Sequence, residues 1–126
     1  MDKIIKSAIE SVTQYKNQVY PLAADETAQA PYCVYCQSKN TPLTTLDGST
    51  GAAIVEYEAH CMAAKYGQSV DLAKLTAKAL EALGSQTADG FIIQSADIVG
   101  VSPQQYVGDL NVYRSTCTVS FFVSEV

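Results

Sequence analysis

Apolar residues recur at helical spacing through residues 2 to 16. Ile4, Ile5, Ala8, Ile9, Val12 and Tyr15 share one side, and Lys3, Lys6, Glu10 and Lys16 fall mainly on the others. The pattern predicts an amphipathic helix. Pro21 and the small, polar stretch PLAADETAQAP break it and lead, as a loop, into an extended segment, because a residue before proline avoids the α region. Residues 32 to 39, rich in Tyr, Val and Cys, predict a strand. The stretch NTPLTTLDGSTG, with Asp47-Gly48 and Gly51 as turn residues, is expected to connect it to an antiparallel partner. From Ala53 onward the alternation is strict. Val55, Tyr57, Ala59, Cys61 and Ala63 lie on one face, and Glu56, Glu58 and His60 on the other.

The second helical pattern is QSVDLAKLTAKALEALGS, with Ser69 as an expected N-cap, Asp71 in the first turn and Gly84 in the left-handed position at the end. Its expected buried stripe is Leu72, Leu75, Ala79, Leu80 and Leu83, opposite Lys74, Lys78 and Glu81. FIIQSADIVG, QYVGDLNVYR and STCTVSFFVSE then predict strands, with Ser102-Pro103 as a break and Gly108-Asp109 as a turn or bulge. In the last of them Cys117, Val119, Phe121 and Val123 alternate with Thr116, Thr118, Ser120 and Ser124. The order α-β-β-α-β-β, with room for one further strand, indicates an α+β fold: a mostly antiparallel sheet packed against two helices. Its length, 126 residues, predicts a single domain spanning 1–126.

Charge narrows the function classes. The net charge is −5 and Arg114 is the only arginine, so the basic surface that dominates nucleic-acid affinity is missing and sequence-specific binding is not expected. No apolar run approaches the ~20 residues that span a bilayer, and charges interrupt the amino-terminal segment where a signal peptide would be apolar. The sequence reads as a soluble, unexported chain whose four cysteines stay thiols.

Two groups of residues offer chemistry. Cys33 and Cys36 form a Cys-x-x-Cys, but at ~3.3 Å rise per residue an extended strand sets them roughly 10 Å apart on opposite faces. That is too far for a disulfide or a shared ion. Val34 and Tyr35 between them are β-formers without a glycine to make a tight turn. The expectation is packed thiols in a strand. A metal or thiol-dependent site using Cys33 and Cys36, with His60 or Cys61, stays open as the alternative. Glu56, Glu58 and His60 project from one face about 7 Å apart, which would suit an acid/base pair, a metal, or simply a solvated or partner-facing strand surface. No catalytic residue and no cofactor is assigned: DGSTG lacks the Gly-Lys-Ser/Thr ending of a phosphate loop, and no G-x-G-x-x-G opens a helix. Eight tyrosines, among them Tyr32, Tyr35, Tyr106 and Tyr113, suit sheet packing or an interface.

Three stretches together, VYPLAADETAQAPYCVYCQSKN, AIVEYEAHCMAAKYGQSVDLAKLTAKALEALG and DLNVYRSTCTVSFFVSEV, resemble the tail-completion or tail-terminator proteins of long-tailed bacteriophages and prophages. The similarity covers most of the chain: a helix leading to a proline, a strand entered through Pro-Tyr, a strand running into a Leu-rich helix, and a closing strand after Asp-x-x-x-Tyr-Arg. It implies a non-enzymatic virion tail subunit, assembled in the host cytoplasm as a ring, commonly a hexamer. Such a ring caps the tail tube and meets the head-completion protein, with DNA passing through it. The family's motifs are apolar and turn patterns, so no site residue follows from them. An acidic, Arg-poor chain suits a channel that lets DNA pass, and Glu56, Glu58 and His60 are the expected lumen or interface face.

Overall fold

The computed structural model describes residues 2–15, 18–21, 30–45, 48–88, 91–101, 105–108 and 112–125. Helix α1 (Asp2–Glu10) is followed by a 3-10 turn at Thr13–Tyr15 and strands β1 (Val19–Pro21), β2 (Tyr32–Thr45) and β3 (Gly48–Ala63). Helix α2 (Tyr66–Glu81) and strands β4 (Thr87–Ala88), β5 (Phe91–Val101), β6 (Gln105–Val107) and β7 (Val112–Glu125) complete the chain. One sheet runs in the order β1-β2-β3-β7-β5-β4, with β6 also on β7. All pairings are antiparallel except β1 with β2. This is the α+β architecture that the hydrophobic pattern indicates, with both helices on one face.

The core follows the period of two. Val55, Tyr57, Ala59, Cys61 and Ala63 of β3 are buried beside Cys33 and Tyr35 of β2 and Cys117, Val119, Phe121 and Val123 of β7. Against them pack Leu72, Ala73, Ala77 and Leu80 of α2 and Ile5 and Ile9 of α1. Tyr57 and Phe121 meet edge to face with ring centroids 6.1 Å apart. Burying each such side chain contributes roughly 1.5–3 kcal/mol, so the correct parity of three adjacent strands is worth far more than any one turn.

Several local expectations change. Regular α-helix ends at Glu10, and Val12 and Tyr15 reach the core from the turns that follow. Val19–Pro21 is a strand and not part of a loop. A parallel edge partner for Cys33–Tyr35 leaves little sequence signal at three residues. NTPLTTLDGSTG is mostly strand: β2 continues to Thr45 and β3 begins at Gly48, so these residues lengthen the hairpin. Asp47 lies outside the described residues. Gly51 has φ 74° beside the register shift between Leu43 and Thr44, so glycine serves a bulge there. QYVGDLNVYR divides between β6 and the start of β7, with Gly108 in the turn. Asp109 is outside the described residues.

Helix α2 is displaced from its expected caps. It starts at Tyr66 behind an extended Lys65, and Ser69 is a buried helical residue and not the N-cap. Its hydroxyl donates to the Tyr66 carbonyl at 2.8 Å and accepts from Ser115 of β7 at 3.3 Å, so it links helix to sheet. The left-handed residue is Ser85 (φ 70°), not Gly84. Its N–H donates to the Ile93 carbonyl at 2.7 Å, which ties the helix exit to β5. The buried stripe is Leu72, Ala73, Thr76, Ala77, Leu80 and Leu83, whereas Leu75 is 40% exposed and Ala79 only half-buried. Ala73, Thr76 and Ala77 share the inward face with Leu72 and Leu80, and the apolar members join the cluster formed with β3 and β7.

The rotated stripe makes a direct prediction. Leu80→Ala should destabilise the protein by about 2–5 kcal/mol, as for other buried leucines, while Leu75→Ala should cost less than about 1 kcal/mol. Urea unfolding followed by circular dichroism checks both, and equal losses would place the helix face wrongly.

Candidate functional site

Cross-strand register decides where each cysteine goes. Cys33 pairs with Cys61, Cys36 with Glu58 and Val34 with His60 between β2 and β3. Across the other edge of β3, Ala59 pairs with Cys117, and His60 with Thr116. Because successive side chains alternate, Cys33, Cys61 and Cys117 point into the core. Cys36, Glu58 and His60 stand half-buried on the opposite, helix-free face. The sheet therefore separates the Cys-x-x-Cys, as strand geometry predicts. The four residues Cys33, Cys36, His60 and Cys61 do not converge on one point; they divide two and two between the faces.

The inner group is a thiol and hydroxyl cluster without a charged partner. Tyr15 Oη and Thr76 Oγ1 lie 2.7 Å apart, and the Cys61 thiol reaches Thr76 Oγ1 at 3.7 Å and the Ala59 carbonyl at 3.9 Å. Contact with Cys61, then burial, holds the Cys33 and Cys117 thiols well above the usual range. Burial first, then the neighbouring thiols, holds the Tyr15 phenol high as well. Those three groups stay protonated at neutral pH, whereas hydrogen bonds from Cys117 and then Cys33 hold the Cys61 thiol well below the usual range against its own burial. The cluster satisfies polar atoms inside an apolar layer, and burial keeps its sulfurs from external reagents.

The outer group is more reactive in kind. Sulfur, carboxylate oxygen and imidazole nitrogen of Cys36, Glu58 and His60 all lie within 4.8 Å of one another. His60 Nε2 is 3.6 Å from Glu58 Oε2, and Nδ1 is 2.9 Å from Thr116 Oγ1. Burial lowers the His60 pKa below the ordinary value, with Glu58 opposing and Arg114 assisting, so the ring is mainly neutral at pH 7. Burial and then the Glu58 charge raise the Cys36 thiol. Glu56, the third residue of the expected acidic face, stands apart from this trio and pairs with Lys39 of β2 at 3.8 Å. Val34 and Met62, with Tyr32 and Val112, form a small apolar cluster on the same face. No helix among the described residues is long and apolar enough to cross a membrane.

Among solved structures the fold is similar to a chain in the virion of a native gene transfer agent particle. The TM-score is 0.69 at 12% sequence identity, and the match covers 94% of this chain and 84% of that one. No protein-family model matches the sequence, and no curated protein matches it. At this identity the likeness shows a shared fold, so helix-free face, hairpin and edge strands can be compared only as architecture.

Along the chain Cys36 stands nearest Cys33, whereas its partner in space is Glu58, so the Cys-x-x-Cys spacing does not point to the trio. A usable signal existed: Cys36 and Glu58 each lie eleven positions from Asp47, the expected turn, so a hairpin folded there pairs them. Thr116 carried no such signal, since its strand joins the sheet through a long connection.

Thiol accessibility should report this division of the cysteines. In the native protein a disulfide-exchange reagent is expected to modify Cys36 alone, more slowly than a free thiol because less of it is thiolate. Cys33, Cys61 and Cys117 should react only after denaturation, and Cys36→Ser should abolish the native reaction. Two or more fast-reacting thiols would contradict the buried placement.

Proposed function

We propose that this chain is a structural subunit of a phage-type tail, assembling as a homo-oligomeric ring, with six copies as the expected number, that caps the tail tube and joins tail to head. The observation that carries the reading is the likeness over 94% of the chain to a virion chain. It agrees with the sequence's resemblance to tail terminators. In this reading the partners are further copies of the chain, the tail tube protein and a head-completion protein. The role is non-enzymatic and located in the virion tail.

The surface supports self-association. The edge of β5 beyond its short pairing with β4 carries Ile98, Val99 and Val101, all exposed, with Tyr106 of β6 exposed as well. Isolated apolar residues on a surface are ordinary, but a run of them along a strand edge that has no partner among the described residues is a template for another chain. The other edge without a strand partner among the described residues, along β2 beyond its pairing with β1, is polar instead: Gln37, Ser38, Lys39, Asn40, Thr41 and Pro42 are exposed there, and the register shifts between Gln37 and Lys39. Lysine, proline and a bulge blunt that edge. Glu56, Glu58 and His60, half-buried on the helix-free face, are the proposed lumen or interface surface, where acidic groups would not grip the phosphates of passing DNA.

Light-scattering mass across a concentration series, with negative-stain imaging, tests the assembly. Discrete rings are expected, and Val99→Lys, at a side chain 58% exposed, should shift the population toward monomer. It should change folding stability by no more than about 0.5 kcal/mol. A chain that remains monomeric at every concentration and leaves purified tail tubes uncapped would overturn the reading.

A further inference from the structure

We propose that Cys36, Glu58 and His60 form a binding site for a single Zn²⁺ ion on the helix-free face of the sheet, with water in the fourth position. The donors come from adjacent strands whose register is fixed by continuous pairing: Cys36 stands opposite Glu58, and His60 follows two residues later on the same face. Their three donor atoms already lie within 4.8 Å of one another. Zinc bonds of about 2.3 Å to sulfur and about 2.0–2.2 Å to nitrogen and oxygen put tetrahedral donors roughly 3.3–3.7 Å apart. The His60–Glu58 separation of 3.6 Å is there already, and Cys36 and Glu58 need only side-chain rotation to complete the set.

Three further features favour this ion. Thiolate, carboxylate and neutral imidazole bring two negative charges, which balance Zn²⁺, and the thiolate selects it over Mg²⁺ or Ca²⁺. Thr116 Oγ1 lies 2.9 Å from His60 Nδ1. With Nδ1–H donating to that hydroxyl, the Nε2 lone pair faces Glu58, which is the ligating tautomer. Val34 and Met62, the latter beside His60 in the hairpin's apolar cluster, screen that flank of the site from water. Binding displaces the Cys36 thiol proton to solvent, and no oxidant or other reactant is needed. The proposal is independent of ring assembly, since all three protein ligands belong to one chain.

The test uses the full chain, stripped with a chelator and titrated with Zn²⁺ or Co²⁺ alone. The expected result is one bound ion per chain by metal analysis after dialysis, and a thiolate-to-cobalt charge-transfer band in the near ultraviolet. Cys36→Ser should remove that band. Cys36→Ser, Glu58→Gln and His60→Gln should each weaken Zn²⁺ binding by more than about tenfold, and Thr116→Val, a change at a positioning residue, by about tenfold. Thermal unfolding without metal checks that the variants fold, and added Zn²⁺ should raise the midpoint of the wild type more than theirs. Alkylation of Cys36 in the native protein gives a comparison that needs no mutation. Absence of the charge-transfer band, or wild-type affinity after Cys36 is replaced or alkylated, would overturn the site.

Discussion

The register of β3 between β2 and β7 is the constraint on which the rest of the molecule depends. Twelve consecutive residues of β3, Ala52 to Ala63, pair with β7, and most of the same residues pair with β2 on the other side. A slip of one position would turn Tyr57, Ala59 and Cys61 to water and bring Glu56, Glu58 and His60 against the helices. Three buried carboxylate and imidazole groups without partners would then oppose folding by several kcal/mol each, while the apolar gain of the core would be lost. The same register assembles the outer trio, so the core and the proposed metal site rest on one choice.

The helical layer is held to that sheet by more than apolar contact. Thr76 of α2 bonds Tyr15, which comes from the turn after α1, and Ser69 of α2 meets Ser115 of β7. Among the described residues no buried side-chain nitrogen or oxygen lacks a partner. A satisfied polar group inside a core adds little net stability but penalises alternative packings, in which it would be left unpaired. The links therefore set the azimuth of α2, and with it the inward turn of Ala73, Thr76 and Ala77 in place of Leu75.

What could be read from the sequence was what periodicity encodes. The strict alternation from Ala53 to Ala63 and from Thr116 to Ser124 placed buried and outer residues correctly, because a period of two leaves no other solution once one face is apolar. The faces of Cys33 and Cys36 followed from the same rule. Helix α2 is legible as a helix, and Leu72, Leu80 and Leu83 are buried as its pattern indicates; the stripe differs at Leu75 and Ala79, which turn outward while Ala73, Thr76 and Ala77 are buried. Ser69 and Gly84 show why caps are hard to place, since a serine can equally serve the interior, and Ser85 accepts a left-handed conformation beside a usable glycine. The Cys36–Glu58–His60 trio depended on tertiary pairing, and only the equal spacing of Cys36 and Glu58 about Asp47 hinted at it.

The two sheet edges that lack a strand partner among the described residues differ in a way that bears on the proposed assembly. Pairing of β5 edges across a twofold would hide Ile98, Val99 and Val101 in a dimer and end there, because an isologous contact consumes the same patch on both copies. A ring requires the β5 edge of one copy to meet a different surface of the next. The β2 edge lies at a comparable level of the sheet: Glu56 of β3 lies between Lys39 of β2 and Ser120 of β7, which itself pairs with Asp97 of β5. Its polar side chains and bulge discourage indiscriminate strand addition, while the apolar β5 edge offers area that the proposed association would bury. Two unlike edges are compatible with head-to-tail contact, which forms a ring where the rotation between successive copies closes and a filament where it does not. The asymmetry of the edges therefore bears on the direction of contact in the proposed ring, while closure depends on the rotation between copies.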